Sequence, residues 1–447
     1  MKNILVLGAG KSAPYLVYYL LENAQENDWF VTVADRDLKA AQALVNGHPR
    51  GSAMLFDIND SEMRASQISK CDIVLNILAP MFQHQIALSC VDFGKHMISV
   101  SYQNSRIRSL EKDALRKGIL ILTEMGLDPG IDHMAAASMI DKVRRKQGTI
   151  ESFESYGGGL PAPDSLINPL KYVISWNPRN VVMAGESGAQ YLKDGKIKIF
   201  PHQSVFLHSW PIEVKGIGTL EAYPNRDSLN YKTLYGFEKA HTVIRATMRY
   251  PGWSETWLQI IRLGMTNEEQ LIPNLKNTRW SELTEMFLPL NSQGPNVAQR
   301  VASFLNLSPT GQIMKNLAWL GLFSDDKIGM DVETSAQALT YLLSKKLQLK
   351  KNARDMVIIM HRMKVSYSKT KKVEQHTATM IQYGKRGGFT AMAKSVGLPA
   401  GIVAKLLLTG KLPLTGCHIP IHPAIYEPVL KDLAANGLVF DEKIKKL

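Results

Sequence analysis

A chain of 447 residues is long enough for two or three domains rather than one. With 45% hydrophobic and 21% charged residues, its composition is that of an ordinary globular protein and excludes wholesale disorder. The net charge of +13 suits a nucleic acid, a membrane surface or an anionic small substrate, but the basic runs Lys142–Lys146, Lys345–Lys351 and Lys369–Lys372 are short and scattered. Solvated faces and an anion-attracting cleft are therefore expected, with no nucleic-acid partner.

No apolar stretch approaches the ~20 residues needed to cross a bilayer, and the first ten residues lack the cleavage site of a secretion signal, so no membrane association is expected. Three cysteines, Cys71, Cys90 and Cys417, are an odd and low count that fits a reducing compartment, and a cytoplasmic location is expected.

Residues Asn3–Leu7 form an apolar run that reads as a buried strand of a parallel sheet. Gly8-Ala9-Gly10 follows, and then Ala13, Leu16, Val17, Leu20 and Leu21 recur at helical spacing behind Pro14, which suits a first helical turn. Phe30–Ala34 is a second strand, closed by Asp35. This strand, G-x-G-x-x-A turn, helix and strand ending in an acid predict dinucleotide binding. Gly8 permits the tight turn, Gly10 lets the backbone approach a pyrophosphate, Ala13 allows close helix packing, and the helix N-terminus presents free N–H groups. Gly10-Lys11-Ser12 imitates the end of an ATPase phosphate loop, but Leu5 stands where that motif requires glycine. A carboxylate at Asp35 accepts hydrogen bonds from a ribose 2′-OH and repels a 2′-phosphate, which favours NAD; Arg36 beside it keeps NADP possible.

The alternation continues with strands at Ala53–Phe56, Asp72–Leu78, Met97–Val100 and Ile119–Thr123, and helices from Gln83 and over Ser105–Lys117. Ligands bind at the carboxyl ends of such strands. The residues expected there are Gly8, Gly10, Lys11, Ser12, Ala13, Asp35, Arg36, Asp57, Ile58, Leu78, Ser101 and Leu127 for the cofactor, with Tyr102 and Asp128 alongside.

The region beyond carries Glu124–His133, which bends on Gly and Pro, and Phe153–Pro163, whose three glycines and two prolines predict a shaped loop. In Ile244–Tyr250 the strand period puts Arg245, Thr247 and Arg249 on one face. The motifs Gly126–His133 (GLDPGIDH), Gly158–Pro163 (GGLPAP), Asn168-Pro169-Leu170, Ser175-Trp176, Tyr223–Ser228 (YPNRDS), Thr247–Tyr250 (TMRY), Trp319–Asp325 (WLGLFSD) and Gly388–Pro399 (GFTAMAKSVGLP) run through the chain in order. Through them the chain resembles, end to end, the glutamate-forming saccharopine dehydrogenases, also called saccharopine reductases.

The resemblance implies hydride transfer from the CH–NH bond of saccharopine to NAD(P), with hydrolysis of the imine to glutamate and 2-aminoadipate semialdehyde in lysine metabolism. It implies substrate contacts at Tyr102, Asp128, Gly158, Arg226, Thr247 and Arg249. Arginine forks suit a substrate with three carboxylates, and Asp128 is placed to hold the ammonium or take its proton as the catalytic residue. Many relatives carry Cys where this chain has Gly157, a change in the expected pocket wall. Two alternatives are a carboxy-polyamine (carboxynorspermidine or carboxyspermidine) dehydrogenase and a catalytically silent NAD-binding protein.

No metal site is expected. Pro420 and Pro423 break any helix that would align His418 with His422, and His202 and His208 read as loop or structural histidines. The expected architecture is α/β, a Rossmann-type dinucleotide-binding domain at 1–130 plus 387–447. It carries an inserted mixed-sheet substrate domain at 131–253 plus 332–386 and a small helical domain at 254–331. The C-terminal return to the first domain is implied by the resemblance. A cleft between domains and a weakly held homo-oligomer are further expectations.

Overall fold

The opening apolar run forms β1 (Lys2–Leu7), buried from Ile4 onward as a central strand of a parallel sheet must be. The structure, a computed structural model, describes residues 1–447. It divides into two units, Met1–Thr149 with Met356–His361 and Val365–Leu447, and Ile150–Asp355 with Arg362–Lys364.

In the first unit the chain alternates through α1 (Pro14–Glu22), β2 (Trp29–Asp35), α2 (Leu38–Val45), β3 (Gly51–Leu55), α3 (Ser61–Lys70), β4 (Ile73–Asn76) and α4 (Gln83–Phe93). It continues through β5 (His96–Ser99), α5 (Ser105–Arg108), α6 (Glu111–Lys117), β6 (Leu120–Leu122) and α7 (Ile131–Arg145). The helix expected over Ser105–Lys117 is thus two short ones. β1 pairs in parallel with β2 on one side and β4 on the other, so the strand order reverses between β1 and β4. That reversal opens the crevice in which doubly wound sheets take their ligands.

The second unit begins with β7 (Thr149–Pro161), α8 (Pro178–Val182), β8 (Ala189–Lys193), β9 (Lys196–Phe200), β10 (Trp210–Val214), β11 (Gly218–Pro224), β12 (Arg226–Asp227), α9 (Asn230–Tyr235) and β13 (Thr242–Arg249). β13 runs parallel to β7 and antiparallel to β11, which makes the sheet mixed. The stretch expected as a shaped loop is in fact the second half of β7. A Cβ added at Gly158 would stand 3.1 Å from the Met248 Cβ, so glycine here serves close approach of two strands rather than a turn.

The helices α10 (Trp253–Arg262), α11 (Trp280–Met286), α12 (Val297–Leu305), α13 (Gln312–Leu320) and α14 (Ser335–Lys346) lie in this same unit, not in a separate helical domain. The physical reason is burial: α10 sinks Trp253, Trp257, Leu258, Ile260 and Ile261 and packs on the helical turn His202–His208, while α14 packs on α8.

The chain then returns through β14 (Asp355–Tyr367), β15 (Lys372–Tyr383), α15 (Ala391–Leu408), β16 (Gly416–His418), α16 (Pro423–Ala435) and β17 (Asp441–Lys446). β16 extends the parallel sheet beside β6, giving the order β16-β6-β5-β4-β1-β2-β3. The expected boundary near residue 130 moves to Thr149, because α7 packs on α16. The Tyr426 hydroxyl donates to Asp141 and Arg145 pairs with Glu427 at 3.3 Å. The return likewise begins at Met356 rather than 387, since most of β14 and all of β15 cluster with the first unit.

The sequence reads as two helices, Phe389–Val396 and Gly401–Thr409, with Pro399 between them. One helix, α15, runs through that proline, with twelve buried residues, and packs chiefly on α1. The contact demands glycine: a Cβ at Gly397 would stand 2.7 Å from the Leu16 amide nitrogen. α15 is also long and apolar enough by composition to cross a membrane, and 67% of it is buried inside the protein.

Candidate active site

The residues expected to meet the cofactor gather at the carboxyl ends of the parallel strands. Gly8 ends β1 with a φ of +111°, and a Cβ there would meet the Ile77 carbonyl carbon beyond β4 at 3.3 Å. The turn needs glycine both for its backbone and for its space. Gly10 differs: nothing lies within 4 Å of an added Cβ, so its bare backbone faces open space at the start of α1. Ala13 is fully buried under that helix, and its amide closes the turn onto the Gly10 carbonyl at 3.0 Å. An open, side-chain-free backbone beside a helix N-terminus fits a pyrophosphate.

Asp35 sits at the end of β2, and both of its carboxylate oxygens are in use. Oδ2 accepts from the Ala9 amide at 2.7 Å and Oδ1 from the Asp37 amide at 2.8 Å. The acid thereby ties the glycine turn to the second strand. Lys11 and Arg36 are exposed nearby in sequence, and Ser12 is half-buried. Asp57 is exposed after β3, where its Oδ1 accepts from the Asn59 amide at 2.9 Å. Ile58 offers a ligand only its main chain, because its side chain is part of the core. Leu78 follows β4, its amide donating to the Asn76 Oδ1 at 3.1 Å.

Ser101 and Tyr102 follow β5, and Leu127 and Asp128 follow β6. The structure brings Tyr102 and Asp128 together: the phenol donates to the Asp128 Oδ1 at 3.2 Å. Around them runs a buried polar network that the sequence reading missed. The Gln83 Nε2 donates to the Tyr102 carbonyl at 3.0 Å, and the Ser99 hydroxyl donates to the Gln83 Oε1 at 2.7 Å. The Gln103 amide donates to the Glu124 Oε1 at 2.8 Å, and the Glu124 Oε2 lies 2.9 Å from the His133 Nε2. Glu124 and His133 stand at the two ends of a segment singled out for its Gly and Pro bends, so the signal was present in their type and position.

In the second unit, Thr247 and Arg249 share a face of β13, and Thr247 stands in register with Gly157 of β7. Gly158 is buried beside Met248. Arg249 is 5% exposed. Its guanidinium carbon lies 4.9 Å from the Tyr172 ring centre and 5.8 Å from those of Tyr223 and Trp253. Its Nη1 donates to the Met248 carbonyl at 2.8 Å, while its buried Nε has no hydrogen-bond partner. Burial alone would lower the pKa of Arg249, but Tyr223, Tyr172 and Glu221 outweigh it and hold the guanidinium above its ordinary value. Burial pushes the Tyr223 phenol up, against the pull of Arg249. The three aromatic rings of this cage were not anticipated, although Tyr223 lies within one of the quoted motifs.

Arg226 is unlike Arg249. It is exposed in β12, with a left-handed φ of +52°. Arg245 is 3% exposed with its guanidinium carbon 4.5 Å from the Tyr231 ring centre. His422 caps α16 through a hydrogen bond from the Ala424 amide, and the imidazoles of His418 and His422 are 6.3 Å apart, centre to centre.

A doubly wound sheet with a glycine turn open to a pyrophosphate, and strand ends furnished with a Tyr–Asp pair, defines a dinucleotide-dependent dehydrogenase. Residues 4–122 match the sequence profile of the saccharopine dehydrogenase NADP binding domain, and residues 126–438 that of the saccharopine dehydrogenase C-terminal domain. The chain belongs to the saccharopine dehydrogenase family. It is 34% identical to the NADP(+), L-glutamate-forming saccharopine dehydrogenase of Saccharomyces cerevisiae, over 99% of both chains. It is also 34% identical to the alpha-aminoadipic semialdehyde synthase of Arabidopsis thaliana, covering 96% of this chain and 42% of that one. The apo structure of the Saccharomyces cerevisiae L-Glu-forming enzyme superposes with a TM-score of 0.87 at 33% identity, with full coverage of both chains.

Proposed function

We propose that this protein is an NAD(P)-dependent saccharopine dehydrogenase of the glutamate-forming kind. The observation that carries the reading is Arg249, a buried guanidinium with an unpartnered Nε and an aromatic surround. A cation kept out of water with no carboxylate hydrogen-bonded to it is arranged for an anionic ligand. Saccharopine, a secondary amine with three carboxylates, supplies such an anion, and Arg226 and Thr247 offer further polar contacts.

A bound nicotinamide cofactor would supply the acceptor for the hydride that leaves the substrate carbon next to the nitrogen. The chain's own groups do the rest. Gly8, Gly10 and the start of α1 receive the pyrophosphate. Asp128 holds the substrate ammonium and takes its proton, so that the nitrogen lone pair can form the C=N bond as the hydride leaves. Tyr102 donates to Asp128 and fixes the carboxylate's orientation. Water then adds to the imine, and the C–N bond breaks to release glutamate and the semialdehyde.

The test is direct. Purified protein mixed with saccharopine and NADP, and separately with NAD, should develop the absorbance of reduced nicotinamide and release glutamate. Turnover of carboxyspermidine alone would replace this reading with the polyamine one. Cofactor binding without turnover of either amine would make the protein a silent binder.

Cofactor choice is decided at Asp35. Its charge opposes a 2′-phosphate, while the neighbouring Arg36 attracts one. Asp35→Ala is expected to raise the NADP-to-NAD ratio of kcat/KM by about tenfold, the value of one removed like-charge contact of ~1.4 kcal/mol. Activity with both cofactors should fall as well, because the Ala9 amide loses its acceptor. An unchanged ratio would mean that Asp35 serves the turn and never meets the ribose.

A further inference from the structure

We propose that Glu124 is a positioning residue for the reaction, and that it acts by holding the main chain around Tyr102 so that the phenol stays on Asp128. The inference rests on the saccharopine dehydrogenase reading for the role of Tyr102, and on geometry for the rest.

Tyr102 sits on a loop after β5 that has little regular structure of its own, yet its main chain is tied on both sides. The Gln83 Nε2 donates to its carbonyl at 3.0 Å, and the next amide, that of Gln103, donates to the Glu124 Oε1 at 2.8 Å. A third tie runs from the Glu124 amide to the Ser101 carbonyl at 3.0 Å. Glu124 is therefore bonded to the residues before and after Tyr102 with its backbone and its side chain respectively. Its second carboxylate oxygen is taken by the His133 Nε2 at 2.9 Å, which anchors it to α7. With both oxygens engaged inside the protein and only 6% of its surface exposed, Glu124 works through other residues rather than on a ligand.

The backbone supports the same conclusion. Glu124 has a φ of +62°, a conformation that costs a non-glycine residue free energy and that glycine would adopt freely. Strain at a side chain that could have been dispensed with is explained by what the side chain holds. The tethers converge on the one loop residue whose hydroxyl meets Asp128.

Three variants and one background test the proposal. Glu124→Gly relieves the backbone while deleting the tether, and Glu124→Gln keeps an acceptor for the Gln103 amide. Expected are a fall in kcat of about 30- to 100-fold for glycine, the scale of a displacement of roughly 1 Å near the chemistry. Glutamine should stay within about threefold of the parent, and neither change should move the dissociation constant of NADP. In a Tyr102→Phe background the glycine change should cost less than about threefold, since residues acting as a unit are non-additive.

Equal losses in both backgrounds, or a glutamine variant as slow as glycine, would overturn the proposal. Should Glu124→Gly fold poorly, Gln83→Met removes the opposite tether and carries the same expectations. Hydrogen exchange at the Gln103 amide needs no turnover: it should quicken at least tenfold in Glu124→Gly but not in Glu124→Gln, and unchanged exchange would refute the tether. If exchange responds while Tyr102→Phe leaves kcat intact, the role given to Tyr102 fails and the tether stands.

Discussion

Arg249→Met should remove most saccharopine turnover while leaving the protein as stable as before or more so. Two opposed effects make the outcome decisive. The guanidinium is buried among Tyr172, Tyr223 and Trp253, its Nε bonds to nothing, and its Nη1 donates to the carbonyl of the preceding residue. Glu221 is the acid that acts on it, but that carboxylate already accepts from the amides of Gly252 and Ser254 at the start of α10. Cation–π contacts of ~0.5–2 kcal/mol return only part of the several kcal/mol that desolvating a cation costs.

Methionine keeps the length and removes the charge, so the free protein gains or breaks even in stability. With a bound carboxylate the balance inverts, because losing one partner of a buried charge pair costs about 2–5 kcal/mol. We expect kcat/KM for saccharopine to fall by about 100- to 1,000-fold, the melting temperature to hold or rise, and NADP affinity to stay within about twofold. A melting temperature lowered by many degrees with kcat/KM intact would show Arg249 to be a structural strut.

The second large effect is expected at Asp128. Asp128→Asn preserves an acceptor for the Tyr102 phenol, so the pair keeps its geometry, but it removes the charge and the ability to take a proton. General base catalysis contributes about 10²- to 10⁴-fold. The asparagine variant should accordingly lose about 10²-fold or more in kcat. A kcat within a few fold of the parent, with KM for saccharopine raised, would leave Asp128 a binder of the ammonium and move the proton transfer elsewhere.

Much of the cofactor half was legible in the residues. The strand of Asn3–Leu7, the Gly8 and Gly10 turn, Pro14 at the helix start and the acid at the end of the second strand are local features, fixed by short-range sterics and by period, and each appears where its chemistry demands. The carboxyl-end rule then placed Leu78, Ser101, Tyr102, Leu127 and Asp128 on the same edge of the sheet. What misled was glycine and proline read locally. Gly157 and Gly158 suggested a loop because an isolated strand gains nothing from them, but the neighbouring strand at Met248 leaves no room for a side chain at Gly158. Pro399 suggested a helix end, but burial of α15 against α1 outweighs one lost hydrogen bond.

The sequence by itself determined the class of fold, the dinucleotide turn and the membership of the family, because those depend on contiguous motifs and on periodicity along the chain. The tertiary structure decided which arginine is buried and which exposed, that aromatic rings from Tyr172, Tyr223 and Trp253 surround one of them, and that Glu124 reaches both sides of Tyr102. Apart from Trp253, four positions beyond Arg249, those are encounters between residues separated by tens of positions, and burial and hydrogen-bond pairing across such separations are set by how whole elements pack, which no local pattern encodes.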